Sequence, residues 1–455
     1  MTGDERVPAV RSPRALAGRA GGAMRSTTTL LGSDLRSYGL ATFADQGGRM
    51  ILNLVAAGML GPVVFGTWVL VASIIQYSAF SSLGIVNGAA REIPRALGAG
   101  DPERARRIED VATGGALVTG VVAGLAMIVL SPILFGPDVQ PWLVALAVLM
   151  TQLFVLQQIL FRANLRFREA AGQLGVAAVG APVVGIPMLR FGVDGLIAAR
   201  VIVNALVVTV AARRFGRLPR PRLDRAMLAQ LISVGLPVML GGLVFALLIT
   251  LDRWLADILL GREAVGQYGI VSLAVSALLI VPTFLAQQLY PRISHERGAG
   301  AHGQRLLEVA IRFGVLAGLA TAALGMAGSV FAVVAIPIVL PEYEEAIIPL
   351  IVGALAVSVF ALSSGLGYVL NLTGRQRELV LAQAGALVGD VVLSLLFVNA
   401  GVGLVSFSLA MLVTFSVYGV VLWFAARHAA RTDRGAHHDG GVRPTGLDAA
   451  PGADA

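Results

Sequence analysis

The sequence predicts an all-α polytopic membrane protein of about twelve transmembrane helices, arranged as two parallel six-helix lobes. Three observations carry this prediction: a ladder of long apolar stretches, a one-sided placement of arginine, and an internal repeat at a shift of about 200 residues.

The apolar stretches run near 37–60, 65–87, 110–134, 142–161, 170–190, 195–212, 230–258, 266–288, 309–336, 347–371, 379–399 and 403–426. Each reaches or approaches the roughly 20 residues that a helix needs to cross a hydrocarbon core of about 30 Å. Segments this long are not the alternating, roughly ten-residue strands of an outer-membrane barrel. Composition agrees: 56% of residues are hydrophobic, 14% are charged and the mean hydropathy is +0.79. A soluble domain carries roughly 25% charged residues. Residues 1–36 are polar, and Arg19 interrupts their one candidate leader stretch, so they are expected to be a cytoplasmic tail.

All 35 basic residues are arginine, which, beside heavy use of Ala, Gly and Val, reads as codon bias of a GC-rich genome. With the N-terminus placed in the cytoplasm, the inside segments are 1–36, 91–109, 162–169, 213–229, 289–308, 372–378 and 427–455, and they hold 29 of the 35 arginines. The outside loops hold Arg262 and the boundary residue Arg190, together with Glu342, Glu344 and Glu345. Such asymmetry orients a chain in a bacterial cytoplasmic (inner) membrane with both termini inside. The net charge of +8 is thereby accounted for as a topology signal, and nucleic acid is excluded as a partner.

The repeat sets Leu60-Gly61-Pro62-Val63-Val64-Phe65-Gly66-Thr67-Trp68 on Leu260-Gly261-Arg262-Glu263-Ala264-Val265-Gly266-Gln267-Tyr268, and Gly98-Ala99-Gly100 on Gly298-Ala299-Gly300. The shift spans six helices, an even number, so both copies enter the membrane in the same direction, related by an axis along its normal. The expected organisation is an N-lobe over 37–212, a cytoplasmic linker over 213–229 with Pro219 and Pro221, a C-lobe over 230–426 and a disordered cytoplasmic tail over 427–455.

Several chemistries are excluded at once. There is no cysteine, and His295, His302, His428, His437 and His438 fall in loops or the tail, so no metal site or cofactor is expected. Without lysine no Gly-x-x-x-x-Gly-Lys phosphate loop can exist. The longest outer segment, near 337–346, has no His, Cys or serine–base arrangement, so the chain reads as a non-enzyme with no catalytic residues.

Ionisable residues inside spans cost on the order of 3 kcal/mol at a helix centre and are therefore site candidates. The first span holds Asp45 and Arg49 on one helix face, the sixth Arg200, the seventh Asp252 and Arg253, and the eleventh Asp390 near its middle. Each has a plainer reading: Asp45 and Arg49 as a structural pair, Arg200 snorkelling to the interface, Asp252 and Arg253 facing water at the outer boundary. Asp390 has the least room to escape and is expected to line a wet cavity. Gly47-Gly48 is expected to bend the first helix, and Pro182 with Pro187 to break the fifth. Gly120-x-x-x-Gly124 and Gly314-x-x-x-Gly318 permit close helix contact.

The motif Leu60-Gly61-Pro62-x-x-Phe65-Gly66-x-Trp68 resembles that of the polysaccharide-transporter (Wzx-type) flippases of the multidrug/oligosaccharidyl-lipid/polysaccharide exporter superfamily. Gly84-Ile85 with Arg91, the basic loop from Gly98 to Arg107, Leu289-Tyr290-Pro291-Arg292, Pro341-Glu342-Tyr343-Glu344-Glu345-Ala346 and Thr373-Gly374-Arg375 are similar to that family too, so the resemblance covers about residues 37–426. It implies movement of an undecaprenyl-pyrophosphate-linked oligosaccharide from the inner to the outer leaflet by alternating access. Its implied partners are that lipid-linked oligosaccharide, membrane lipids, and the polymerase and glycosyltransferases of polysaccharide synthesis. On that reading Arg49, Arg200 and Arg253 are suited to a pyrophosphate if they converge, because guanidinium presents a planar fork of donors. Asp45, Asp252 and Asp390 then position those arginines or bind a coupling cation. An ion-coupled multidrug exporter on the same fold is the alternative, supported by Asp45 and weakened by arginines that would repel a cation.

Overall fold

A computed structural model describes the backbone over 13–215, 219–298 and 303–432, and side chains over 36–213, 219–286 and 303–432. The side chains of Leu289-Tyr290-Pro291-Arg292, the repeat residues Ala299 and Gly300, His295, His302, His437 and His438, and the tail from residue 433 lie outside what is described.

The described chain is helical from end to end: α1 Pro13–Tyr77, α2 Ile85–Gly98, α3 Pro102–Phe135, α4 Pro141–Ala163, α5 Phe167–Met188, α6 Gly192–Phe215, α7 Arg225–Leu248, α8 Leu251–Leu260, α9 Arg262–Gly298, α10 Gly303–Val339, α11 Ile347–Leu372, α12 Gln376–Asn399 and α13 Val405–Thr432. Helix thus begins well inside the expected 1–36 tail. Ten stretches are long and apolar enough to span a membrane, and two of them, Arg36–Ser82 and Phe167–Arg213, are 47 residues long. Each is about twice one crossing and is interrupted, the first at Gly61 (φ 72°, ψ 169°) and the second at a 3-10 turn, Leu189–Phe191. The chain is a multi-pass membrane protein.

The burial pattern is that of a protein whose solvent is lipid. In α10 the inward positions include Ala310, Gly314, Ala317, Gly318, Thr321 and Gly325 at steps of three and four. Its outward positions are Leu316, Leu319, Met326, Val330 and Phe331, the last 73% exposed. Large apolar groups outside and small ones inside invert the water-soluble pattern. The reason is that lipid offers hydrophobic side chains nothing to escape from, so helices associate by close backbone approach. A β-carbon on Gly314 would lie 2.2 Å from the carbonyl oxygen of Leu362, and one on Gly365 2.3 Å from that of Ala310. In the same way Gly124 faces the carbonyl of Ala145.

Two expectations about breaks are corrected. Pro182 does not break α5, which runs through it and ends only after Pro187. α1 is helical through Gly47-Gly48, and Gly48 is a packing position, where a β-carbon would come 2.0 Å from the carbonyl of Ala178. The seventh span is not one helix over 230–258, because α7 stops at Leu248 and α8 starts at Leu251. At the break Thr250 leaves helical dihedrals (φ −141°, ψ −12°), and its hydroxyl donates back to the carbonyl of Ala246 at 2.6 Å. The second span also breaks, at a 3-10 turn over Ser78–Ser82 followed by Leu83 and Gly84 at φ of 51° and 81°.

Two compact units emerge. The first gathers the described residues up to Leu52 with Ser81–Met188 and Asp194–Leu236; the second gathers Asn53–Phe80, Leu189–Val193 and the described residues from Pro237. In the first, apolar residues of α2, α3 and α4 close around Ile93, Val111 and Leu156. Beside them runs a chain of buried amides: Gln158 donates to Gln173 (2.9 Å) and to the carbonyl of Ala170, Gln173 to Gln157, and Gln157 to the carbonyl of Val208 (3.2 Å). These bonds tie α4, α5 and α6 together where apolar contact alone supplies no direction. In the second unit α10, α11 and α13 pack around Ala310, Val369, Leu370 and Tyr418.

Interhelical hydrogen bonds in membranes average near 0.6 kcal/mol, and an abandoned buried partner costs roughly 1–3 kcal/mol. Gln173→Leu is therefore expected to lower the detergent unfolding temperature by several degrees. Val388→Ala, on a side chain 64% exposed, is expected to leave it nearly unchanged. Equal melting of the two variants would show that the amide chain is not structural.

Candidate functional site

The intramembrane charges form two groups, one in each unit. In the first unit, Arg49 Nε donates to Asp45 Oδ2 at 3.0 Å, one turn apart on α1. The other carboxylate oxygen of Asp45 is buried without a hydrogen-bond partner. Arg200 of α6 lies within electrostatic range of both Arg49 and Asp45, and its Nε is likewise buried and unpaired. Small residues make the grouping possible. Gly48 seats α1 on Ala178 of α5, Gly185 receives Leu52, and Gly180 receives Val203 of α6. Two guanidiniums and one carboxylate leave a formal charge of +1, with a buried donor and a buried acceptor both unspent. Such an arrangement suits an oxyanion that carries a hydroxyl or a proton.

In the second unit, the break between α7 and α8 puts Asp252 and Arg253 in the first turn of a new helix, where the N-terminal dipole favours the carboxylate. Asp252 is only 8% exposed and Asp390 of α12 only 3%, so the reading in which Asp252 faces water at the outer boundary is corrected. The two carboxylates interact electrostatically. Tyr268 of α9 lies against Asp252 and against Ser408 of α13, and Thr414 of α13 lies against Asp390. Arg253 donates from Nε to Ser272 at 3.0 Å and from Nη1 to Ser73 at 3.5 Å. Tyr77 and Thr250 join hydroxyls at the break itself. With one guanidinium against two carboxylates the formal charge here is −1, among several hydroxyl oxygens. Discontinuous helices with freed backbone and charged side chains are where transporters hold ions and polar substrates.

Sequence reasoning singled out Asp45, Arg49, Arg200, Asp252, Arg253 and Asp390, and the structure groups the first three in one unit and the last three in the other. It missed Tyr77, Tyr268, Ser408 and Thr414. A threonine followed by Leu-Asp-Arg inside an apolar run was the one available signal for the break. Among the described residues no group of three metal-ligating side chains occurs.

With this geometry in place, the chain can be set beside known proteins. Solved structures match it over most of its length. A multidrug-resistance MATE family transporter of the MOP superfamily in an inward-facing conformation gives a TM-score of 0.64 at 16% identity, covering 88% of this chain and 95% of that one. An outward-facing conformation of a multidrug-resistance MATE family transporter of the MOP superfamily gives 0.62 at 16% identity, covering 88% and 96%. A MOP superfamily transporter from Pyrococcus furiosus, described as having a binding pocket of reverse polarity, gives 0.59 at 15%, covering 88% and 96%. At such identity the likeness establishes the fold. A search by sequence among curated proteins found no match. The model of the family described as polysaccharide biosynthesis protein matches residues 31–296, more than half of the chain. The chain therefore belongs to the polysaccharide biosynthesis protein family, on the fold shared by MOP superfamily transporters.

Proposed function

We propose that this protein carries a lipid-pyrophosphate-linked oligosaccharide from the cytoplasmic to the outer leaflet by alternating access, through twelve crossings in two six-helix lobes (37–212 and 230–426) with both termini in the cytoplasm. The observation that carries the reading is the Asp45–Arg49–Arg200 group, whose +1 charge and unpaired buried Arg200 Nε leave room for an anion. Membership of a polysaccharide biosynthesis family supplies the glycan. A pyrophosphate takes guanidinium forks pairwise, which an ammonium or an amide cannot reproduce. The polymerase and glycosyltransferases that make and use the glycan are the expected partners.

The second group has the opposite deficit. Asp252 and Asp390, with the hydroxyls of Tyr268, Ser408 and Thr414 beside them, suit a proton or a sodium ion that couples to the return of the empty carrier. The same acids are what an ion-coupled multidrug exporter would use, and the multidrug transporters among the structural neighbours keep that second reading in play. Two intramembrane arginines beside Asp45 disfavour a cationic cargo.

Two experiments test the proposal. Arg49→Gln and Arg200→Gln are each expected to reduce glycan export by at least about tenfold, the worth of roughly 1.4 kcal/mol of lost phosphate binding, with protein still in the membrane. Full complementation by both variants would remove the arginine site. Transport in proteoliposomes under an imposed potential is the second. Moving about two negative charges to the positive side gains roughly 2.3 kcal/mol per charge per 100 mV, about 4–5 kcal/mol in all. A rate that follows the potential without an ion gradient is expected if charge movement drives flipping. A rate indifferent to the potential, gated by sodium or protons and lost in Asp390→Asn, would assign the driving force to the acids.

A further inference from the structure

The repeated motif folds back on itself. A β-carbon on Gly66 would lie 2.2 Å from the carbonyl oxygen of Arg262, and one on Gly266 1.9 Å from that of Pro62. Under the 200-residue shift, 62 becomes 262 and 66 becomes 266, so the two contacts exchange roles. A local twofold between the segments produces that exchange. Both segments begin at the same unusual backbone, Gly61 at φ 72°, ψ 169° and Gly261 at φ 91°, ψ 176°. Extended ψ at positive φ is open only to glycine. The repeat thus builds a flat seam of backbone on backbone, with Gly269 receiving Phe65 and Val69 beside it.

A short segment straddles this seam. Pro341–Ala346 forms a 3-10 turn leading into α11. On one side Tyr343, 1% exposed, donates its hydroxyl to the carbonyl of Ala57 at 3.0 Å and meets Phe65 edge to face at 6.2 Å. On the other side the Gln267 amide donates to the carbonyl of Glu342. Gly58 meets Leu340 at 3.1 Å from its would-be β-carbon. One turn therefore grips both copies of the motif, and the seam cannot part while both grips hold.

We infer that the Gly66–Gly266 seam is the outer closure of the carrier and that Tyr343 is its latch, released from Ala57 and Phe65 when the protein opens outward. The inference rests on the transport reading above. The face is the outer one because it carries Glu342, Glu344 and Glu345, away from the arginine-rich ends. Flat glycine surfaces separate without disentangling side chains, so closure is held by a few latch contacts that act together. The releasing side is Tyr343, because Pro341–Ala346 is joined covalently to α10 and α11 while Ala57 and Phe65 belong to α1.

The chain has no cysteine, so a single Val69→Cys, at a position 7% exposed behind the seam, reports opening by its reaction with a membrane-impermeant maleimide added outside. A minor state is populated at roughly 10% or less, so blocking closure is expected to raise labelling about tenfold. Gly66→Val and Gly266→Val, which place carbons on backbone oxygens, are the blocking variants. Tyr343→Phe, which removes only the hydroxyl, is expected to raise labelling by a smaller factor. Gly328→Val, where a β-carbon meets nothing within 4 Å, is expected to leave it unchanged. Unchanged labelling in the seam variants overturns the inference. If those variants do not reach the membrane, Tyr343→Phe and Gln267→Leu decide alone, and labelling equal to that of the parent overturns it. Labelling is measured without cargo, so a failed seam with intact glycan export rejects the latch and leaves the flippase reading standing, and the reverse result rejects only the cargo.

Discussion

Close approach of helix backbones at glycine is the constraint on which the rest of this protein depends. Lipid gives apolar side chains no reason to hide, so the usual driving force for a core is missing within the membrane. Contact area must come from surfaces that fit without side chains between them. Gly48 on Ala178, Gly66 on Arg262, Gly235 on the carbonyl of Gly84, Gly314 on Leu362 and Gly365 on Ala310 are all such places, with would-be β-carbons between 1.9 and 2.3 Å from a backbone oxygen. None of these positions tolerates a methyl group without a shift of the backbone. Glycines at such positions are in this sense structural material, the counterpart of the leucines in a soluble core. Polar bonds such as the Gln157–Gln158–Gln173 chain add the direction that apolar contact lacks.

Tight packing also determines what the buried charges can do. A guanidinium or carboxylate that could reach water would be a topology signal and nothing more. Arg200 Nε and Asp45 Oδ1 are instead enclosed and unpaired, and Asp252 and Asp390 are enclosed close enough to feel one another. The first group carries one guanidinium in excess and the second one carboxylate in excess. Opposite formal charges in separate units are thus a more specific statement than the number of arginines inside the membrane.

Much of this was legible in the sequence, for identifiable reasons. Apolar length reports the strongest transfer energy in the system, and it locates membrane-spanning stretches without any knowledge of packing. The 200-residue repeat was readable because both copies must solve the same backbone problem at Gly61 and Gly261. The candidate charges were conspicuous because an apolar background makes each one costly. Helix breaks were harder. Proline was the visible breaker, yet α5 carries Pro182 without interruption while α7 ends before Thr250, in a run that reads as continuous helix. Tyr268, Ser408 and Thr414 escaped notice because hydroxyls are cheap in an apolar helix, and only their convergence on Asp252 and Asp390 gives them meaning.

Symmetry and its violation divide the labour at the seam. The contact between the two copies is reciprocal, so it favours neither and defines only an axis about which they separate. Direction requires something that one half has and the other lacks. The equivalent of Pro341 is Pro141, and there the helix α4 begins at once, with Trp142 58% exposed where the second copy has Glu342 and the buried Tyr343 follows. The 3-10 turn over Pro341–Ala346 belongs to the second copy, and it is the part that reaches across to Ala57. A duplicated scaffold thereby gained a one-sided latch by a local change of helix type at a single span entrance.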